Sequence, residues 1–170
     1  MSDIRNRYTG EVMFSGECTL ADLAQANRAN LSGASLSGAN LYRASLYGAN
    51  LSVANLSRAS LPGANLSGAS LYGSDLYRAS LSGSDLSETK INWQSHDLLA
   101  EILKRAAGAD IQKRSLAGLI LISRDWCWKE FLSLDHTERE WALGELAKWV
   151  QDGDRHPEIL DQYRAEGGSK

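Results

Sequence analysis

The stretch LSRASLPGANLSGAS, residues 56–70, decides how this chain folds. Pro62 stands inside a run that otherwise reads as short strands, and proline has no N–H to give to a sheet ladder. Leu61-Pro62-Gly63-Ala64 nevertheless fits a type II β-turn, with proline second and glycine third, where φ is positive. Pro62 is then a corner residue, and no ladder bond is asked of it. The same five-residue unit runs without a break on both sides: ANLSG, ASLSG, ANLYR, ASLYG, ANLSV, ANLSR before and with ASLPG, then ANLSG, ASLYG, SDLYR, ASLSG, SDLSE and TKINW. The units centre on Leu31, Leu36, Leu41, Leu46, Leu51, Leu56, Leu61, Leu66, Leu71, Leu76, Leu81, Leu86 and Ile91.

A helix cannot use this period. At 100° per residue, five residues turn each leucine by about 140°, so the leucines would circle the axis and share no face. Within a unit, Ala-x-Leu alternates as in a strand, and the two apolar side chains point the same way. The two residues after leucine turn the corner. Four such steps close a square coil, with leucine and alanine inside and serine, asparagine, tyrosine, arginine and aspartate outside. Successive coils stack at the ~4.8 Å inter-strand spacing. Gly33, Gly38, Gly48, Gly63, Gly68, Gly73 and Gly83 occupy the positive-φ corner. Val53, Arg43, Arg58 and Arg78 hold equivalent places, and side chains there resist positive φ, so a different turn type is expected at those four corners.

The uninterrupted run from Ala29 to Ile91 resembles the pentapeptide-repeat family, whose unit is roughly Ala-(Asp/Asn)-Leu-x-x. The resemblance implies a right-handed quadrilateral parallel β-helix, a pentapeptide-repeat solenoid. The family includes proteins that mimic DNA and bind type II topoisomerases.

Three segments follow from composition. Residues 29–93 carry four Lys/Arg (Arg43, Arg58, Arg78, Lys90) against three Asp/Glu (Asp75, Asp85, Glu88), a far lower density of charge than in either flank. Residues 1–28 read as an N-terminal cap. IRNRYTGEVMFSGE is two alternating stretches around Thr9-Gly10, a hairpin, and TLADLAQANRA is a short helix with Thr19 as N-cap and Leu20, Leu23, Ala24 and Asn27 at helical spacing. Residues 94–170 form a C-terminal α-helical bundle of four or five helices. The first runs from Ser95 as N-cap to Gly108, with Leu98, Leu99, Ile102, Leu103 and Ala106 on one side. DIQKRSLAGLILIS reads as the central buried helix. A third is capped by Asp125, and a fourth starts with Asp135 and Glu138 at capping-box spacing and ends at Gly153. A last one has Pro157 in its first turn. Trp93, Trp126, Trp128, Trp141 and Trp149 are expected to supply most of the bundle's packing area. An open coil exposes unpaired edges, so both flanks are expected to cap it.

The whole chain has 170 residues and a net charge of −3, which advertises neither nucleic acid nor an anionic membrane as partner. Two distant cysteines, Cys18 and Cys127, in no CxxC pattern argue against a disulfide framework. With no apolar leader, the chain is expected to be cytoplasmic. His96-Asp97 is read as a helix start rather than an acid–base pair, Cys127 as an apolar residue between tryptophans, and His136 and His156 as lacking metal spacing. No catalytic residue, metal or cofactor is expected.

The outward residues Tyr42, Arg43, Tyr47, Arg58, Tyr72, Tyr77 and Arg78 form the candidate binding surface, because tyrosine and arginine are enriched in hot spots. Twenty residues per coil would set Arg58 above Arg78 beside Tyr77, with Tyr42-Arg43 on the next face and Tyr47 on the one after. The expected function is a non-catalytic scaffold that binds another macromolecule, a protein. Two alternatives are a DNA-mimicking inhibitor of a type II topoisomerase such as gyrase, and a ligand-binding or enzymatic role of the helical domain. A homodimer through the bundle is a further expectation. DNA mimicry needs a run of negative charge, and three carboxylates among four cations do not supply one.

Overall fold

The computed structural model describes residues 1–122, 128–134, 137–153 and 155–166. The expectations for Asp125, Trp126, Cys127, Asp135 and His136 lie outside the described residues. The chain divides into two compact units, Met1–Ser95 and His96–Lys170.

In the first unit the five-residue period becomes a twenty-residue coil. Ser35 bridges Asn55 and Asn55 bridges Asp75; the same parallel step links Asn40 to Ser60 to Ser80, Ser45 to Asn65 to Asp85, and Asn50 to Ser70 to Lys90. Each side of the coil is so short that it contributes an isolated bridge rather than a strand. The one regular sheet lies at the N-terminal end.

The backbone bonding of a single unit explains its residue choice. In Ala54–Arg58, Ala54 N–H closes the turn on Leu51 O (3.0 Å), Asn55 N–H donates to Ala34 O of the coil before (2.8 Å), Leu56 N–H to Asp75 O of the coil after (2.7 Å), and Arg58 N–H to Tyr77 O (2.7 Å). The remaining N–H, of Ser57, donates to Asn55 Oδ1 (3.0 Å). All five donors are thus placed, as a buried backbone requires. Asn40, Asn65, Asp75 and Asp85 accept from the residue two positions on in the same way, which is the local habit of Asn and Asp side chains. Pro62 brings no N–H to its corner, and Ser60 stands where asparagine would otherwise receive one.

Every central residue from Leu31 to Ile91 is buried. Each such leucine contributes roughly 1.5–3 kcal/mol of burial. The outward assignment of serine needs correction at two units, those of Ser74 and Ser84. Ser74, Ser84 and Thr89 take the alanine position and are buried. Their hydroxyls donate to Leu71 O (2.7 Å), Leu81 O (2.8 Å) and Leu66 O (2.9 Å), so the polar atom is satisfied inside the wall.

The corners also differ from expectation. Arg43, Val53, Arg58, Arg78 and Glu88 all have positive φ, between 50° and 58°, like the glycines they replace. Each coil must register on its neighbours, so the fold imposes one corner geometry and the residue bears the strain, on the order of 1–2 kcal/mol. Val53 N–H donates to Tyr72 O at 2.7 Å and Arg43 N–H to Pro62 O at 3.1 Å, bonds that a different turn would break.

The residues ahead of the repeat form a hairpin and a short helix. Strands β1 (Ser2–Asn6) and β2 (Val12–Gly16) form an antiparallel hairpin. Its turn is held by Asn6 Oδ1, which accepts from Tyr8 and Thr9 N–H. Strand β3 (Ala34–Ser35), a side of the first coil, pairs antiparallel with β1, giving the order β2-β1-β3. Helix α1 (Leu20–Ala26) begins with a capping box between Thr19 and Asp22. First-coil donors with no coil before them are met here: Ser45 N–H by Gln25 Oε1 (2.9 Å) and Asn50 N–H by Arg28 O (2.8 Å).

The second unit holds α2 (His96–Ala107), α3 (Ile111–Ile122), α4 (Trp128–Ser133), α5 (Arg139–Ala147) and α6 (Ile159–Glu166). Helix α2 follows Ser95 and stops at Gly108, whose φ is +54°. Ala107 rather than Ala106 completes its buried face, because 103 and 107 are the i, i+4 pair. Helix α3 is not buried all round: Leu116, Ala117 and Ile120 are inside, while Ile111 is 81% exposed. Helix α5 has Glu138 as N-cap with no side-chain bond, and it ends at Ala147 rather than Gly153. Pro157 precedes α6 by two residues, its carbonyl accepting from Leu160 N–H. Among the described residues the tryptophans do not dominate the packing. Trp128, Trp141 and Trp149 are half-buried, Trp93 belongs to the first unit, and aliphatic side chains with Phe131 fill the centre.

Two predictions follow from this geometry. Gly48 and Gly73 both have positive φ, but a Cβ at Gly73 would lie 3.1 Å from Val53 Cγ1, whereas one at Gly48 meets nothing within 4 Å. Gly73→Ala is therefore expected to lower the melting temperature more than Gly48→Ala, with Val53→Ala recovering the excess. Equal losses in the two variants would show that the valine yields freely, despite its stiff χ1.

Helix α6 is tied to α5 by Tyr163 Oη donating to Glu140, and to the turn beyond α5 by Arg164 Nη2 donating to Asp152 Oδ1 at 2.7 Å. Glu140 is held below the usual glutamate range by the Tyr163 bond and then Arg139, and Asp152 below the usual aspartate range by Arg164. A depressed carboxyl stabilises the fold above its unfolded pKa, and the effect fades as pH falls through the folded value. Urea unfolding followed by helical circular dichroism should weaken on acidification below about pH 4.5. Tyr163→Phe with Arg164→Ala should flatten that slope.

Candidate binding surface

The twenty-residue coil sorts the seven candidate residues onto four corners. Tyr72 lies on the corner column Gly33, Val53, Gly73, at the start of the side that carries Ser35, Asn55 and Asp75. Tyr77, Arg78 and, one coil earlier, Arg58 lie at the end of that side. Tyr42 and Arg43 open the side that carries Ser45, Asn65 and Asp85, and Tyr47 closes it. The Asp75 and Asp85 sides are two steps apart in a four-step coil and so face opposite ways. The seven residues therefore make two patches, not one: Arg58, Tyr72, Tyr77 and Arg78 around the Asp75 side, and Tyr42, Arg43 and Tyr47 around the Asp85 side.

The local build of each patch follows from the unit. Tyrosine occupies the position after leucine, and its N–H is held by the preceding Asn or Asp where one is present: Tyr42 by Asn40 Oδ1 at 3.1 Å and Tyr77 by Asp75 Oδ1 at 3.0 Å. Arginine occupies the positive-φ corner and folds back over its neighbour. The Arg43 guanidinium lies 4.9 Å from the Tyr42 ring centroid and that of Arg78 5.1 Å from Tyr77, within cation–π range. The Arg43 stem passes over Gly63, its Cγ lying 3.3 Å from where a Cβ there would be. The four tyrosines remain between 42% and 61% exposed, so each ring keeps a face open to a partner.

A third pair was not foreseen. Arg7, at the hairpin end of β1, stacks 5.2 Å from the Tyr8 ring and donates from Nη1 to Val53 O at 2.9 Å, while its N–H donates to Gly33 O at 2.8 Å. Tyr8 thereby joins the Gly33–Val53–Gly73 corner from outside the repeat. The recurrence of an adjacent Arg and Tyr, as at 42–43 and 77–78, was the one available signal.

Asp97 lies in the first turn of α2, and His156 Nε2 meets Asp161 Oδ1 at 2.9 Å. Among the described residues no three His, Cys, Asp or Glu side chains are grouped to hold a metal ion, and no helix is long and apolar enough to cross a membrane.

Comparison with known proteins gives a family match. The model for pentapeptide repeats matches residues 17–52, 27–61 and 52–88, with eight copies of the repeat. Among solved structures, the chain is similar to Rfr23, a pentapeptide repeat protein from the cyanobacterium Cyanothece 51142. Identity is 45% over 35% of this chain and 41% of that one, with a TM-score of 0.34. It is also similar to HetL from the cyanobacterium Nostoc sp. strain PCC 7120, a pentapeptide repeat protein involved in heterocyst differentiation regulation. There identity is 31% over 32% of this chain and 37% of that one, with a TM-score of 0.13. The chain thus spans about two fifths of the length of these structures. No curated protein matches.

The corner strain makes a prediction. Arg58→Gly removes a side chain from positive φ and is expected to stabilise the chain by about 1 kcal/mol. That corresponds to a melting temperature roughly 2–4 °C higher. A fall in scanning calorimetry would mean that Arg58 braces the coil.

Proposed function

Residues 17–88 belong to the pentapeptide-repeat family, and from that premise we propose that the protein is a non-catalytic scaffold whose coil binds another protein. The right-handed, four-sided winding implied by the family resemblance is part of this reading. The observation that supports it best is the placing of Tyr42-Arg43 and Tyr77-Arg78 at corners where glycine would be relaxed. Such pairs add exposed aromatic and cationic area, contribute nothing to the leucine interior, and have the composition of protein-binding hot spots. The first rests on a turn bonded to the coil after it (Arg43 N–H to Pro62 O, 3.1 Å) and the second on one bonded to the coil before it (Arg58 N–H to Tyr77 O, 2.7 Å), so little backbone entropy would be lost on binding.

DNA mimicry gains no support from the charges. Asp75 and Asp85 lie on opposite sides, and each already accepts a backbone N–H.

The test is affinity capture with the full chain as bait, comparing the natural sequence with Tyr42→Ala/Arg43→Gly and with Tyr77→Ala/Arg78→Gly. A protein captured by the natural chain and lost with one of the two patch variants is the expected result. Capture unchanged in both, or no specific capture, would overturn the reading.

A further inference from the structure

We infer that recognition falls on the Asp75 side, that the hairpin tip is part of it, and that its partner is a carboxylate-rich stretch of protein. This rests on the scaffold reading and narrows it. The borders of that side are Arg7, Tyr8 and Tyr72 on one edge and Arg58, Tyr77 and Arg78 on the other. Arg7 reaches both the first and second coils through Gly33 O and Val53 O, which fixes Tyr8, 70% exposed, against the same corner column as Tyr72. The hairpin extends the side beyond the repeat, because β1 pairs antiparallel with Ala34–Ser35 on one edge while Asn55 bridges Ser35 in parallel on the other.

Charge distinguishes the two opposite sides. Around the Asp75 side stand Arg7, Arg58 and Arg78, against Asp75 in the repeat and Glu11 at the hairpin tip, where its carboxylate accepts from Thr9 Oγ1. Arg5, on the strand above, is paired with Asp3 at 3.0 Å. Around the Asp85 side, Arg43 stands at one corner of the first coil, and Asp85 and Glu88 belong to the same side two coils on. One side therefore has a cationic surplus and the other does not. Arginine suits a carboxylate through its two parallel N–H donors, and two of these arginines are one coil apart. That repeat, ~4.8 Å, is close to the ~5–6 Å between i, i+3 or i, i+4 side chains on a helix. A nucleic acid fits less well. Met1–Ser95 carries seven Lys/Arg (Arg5, Arg7, Arg28, Arg43, Arg58, Arg78, Lys90) against seven Asp/Glu (Asp3, Glu11, Glu17, Asp22, Asp75, Asp85, Glu88). Phosphate binding draws on a sustained basic field.

The experiment is an NMR titration of the isotope-labelled full chain with a Glu/Ala helical peptide, its Gln/Ala counterpart, and a single-stranded oligonucleotide of matched charge. The Glu/Ala peptide should bind saturably. It should shift the amides of Tyr8, Asn55, Arg58 and Tyr77 while leaving Tyr42 to Tyr47 in place. Tyr8→Ala and Arg58→Gly should each weaken it roughly fivefold or more with the melting temperature held or raised. No saturable binding, equal binding of the Gln/Ala peptide, shifts on the Asp85 side, or tighter binding of the oligonucleotide would each overturn the inference. A captured partner that is lost only with Tyr42→Ala/Arg43→Gly would refute this side while leaving the scaffold reading intact; an empty capture would end both.

Discussion

In the units that carry asparagine or aspartate, five N–H groups with fixed acceptors are the constraint on which the coil depends. Sides too short to be strands cannot rely on a long ladder, so every donor must be placed locally or on the adjacent coil. Leucine and the corner residue reach the coil after, the second residue reaches the coil before, alanine closes the turn, and the asparagine or aspartate oxygen takes the last donor. The composition of Ala29–Ile91 follows. Alanine is small enough to sit inside beside leucine, leucine fills the centre, and a short amide or carboxylate can reach two residues along the chain. Pro62 answers to the same rule, since it occupies the one position whose donor is met by a side chain and can be dispensed with.

Stacking every twenty residues turns corners into columns, and the columns restrict one another. Arg43 lies over Gly63 and Val53 against Gly73; a bulky corner is followed by a bare one in both cases. Arg58 above Arg78 departs from that alternation, with side chains at positive φ in consecutive coils. Strain of this kind persists where the surrounding structure over-determines it, and it tends to gather at functional sites. The departure falls on the side bordered by Tyr72 and Tyr77, which ties the backbone observation to the chemical one.

The coil was legible because its signal is repeated many times. The period excluded a helix, Leu61-Pro62-Gly63-Ala64 gave the turn, and the twenty-residue return placed Arg58 over Arg78 before any contact was known. The hairpin was legible from Thr9-Gly10, and the Thr19 cap from the helical spacing of Leu20, Leu23, Ala24 and Asn27. What failed was reading residues one at a time. Val53 resists positive φ by itself, but its bonds to neighbouring coils outweigh that preference. Ser74 and Ser84 look outward by type, yet they hold the alanine position and bond back to the wall. In the helical unit there is no repeat to average over. Leu119 and Ile111 made α3 look fully apolar, whereas its buried set is only Leu116, Ala117 and Ile120 among the residues whose side chains are described. The two-patch division of the seven candidates was implicit in the period; the contribution of Arg7 and Tyr8 was not, because it depends on how the hairpin meets β3.

That meeting point joins stability to recognition. A repeat coil leaves its first turn without a neighbour, and terminal caps are required for such stacks to hold. Here the cap bonds through Arg7 to two successive coils, so Arg7 carries part of the fold as well as part of the charge. Tyr8 and Arg58 do not have that double duty. Tyr8 is largely exposed beyond the turn, and Arg58 occupies a corner where glycine would serve the backbone better. Residues that weaken the fold or add nothing to it, while enlarging one cationic and aromatic side, are most simply understood as retained for what that side binds.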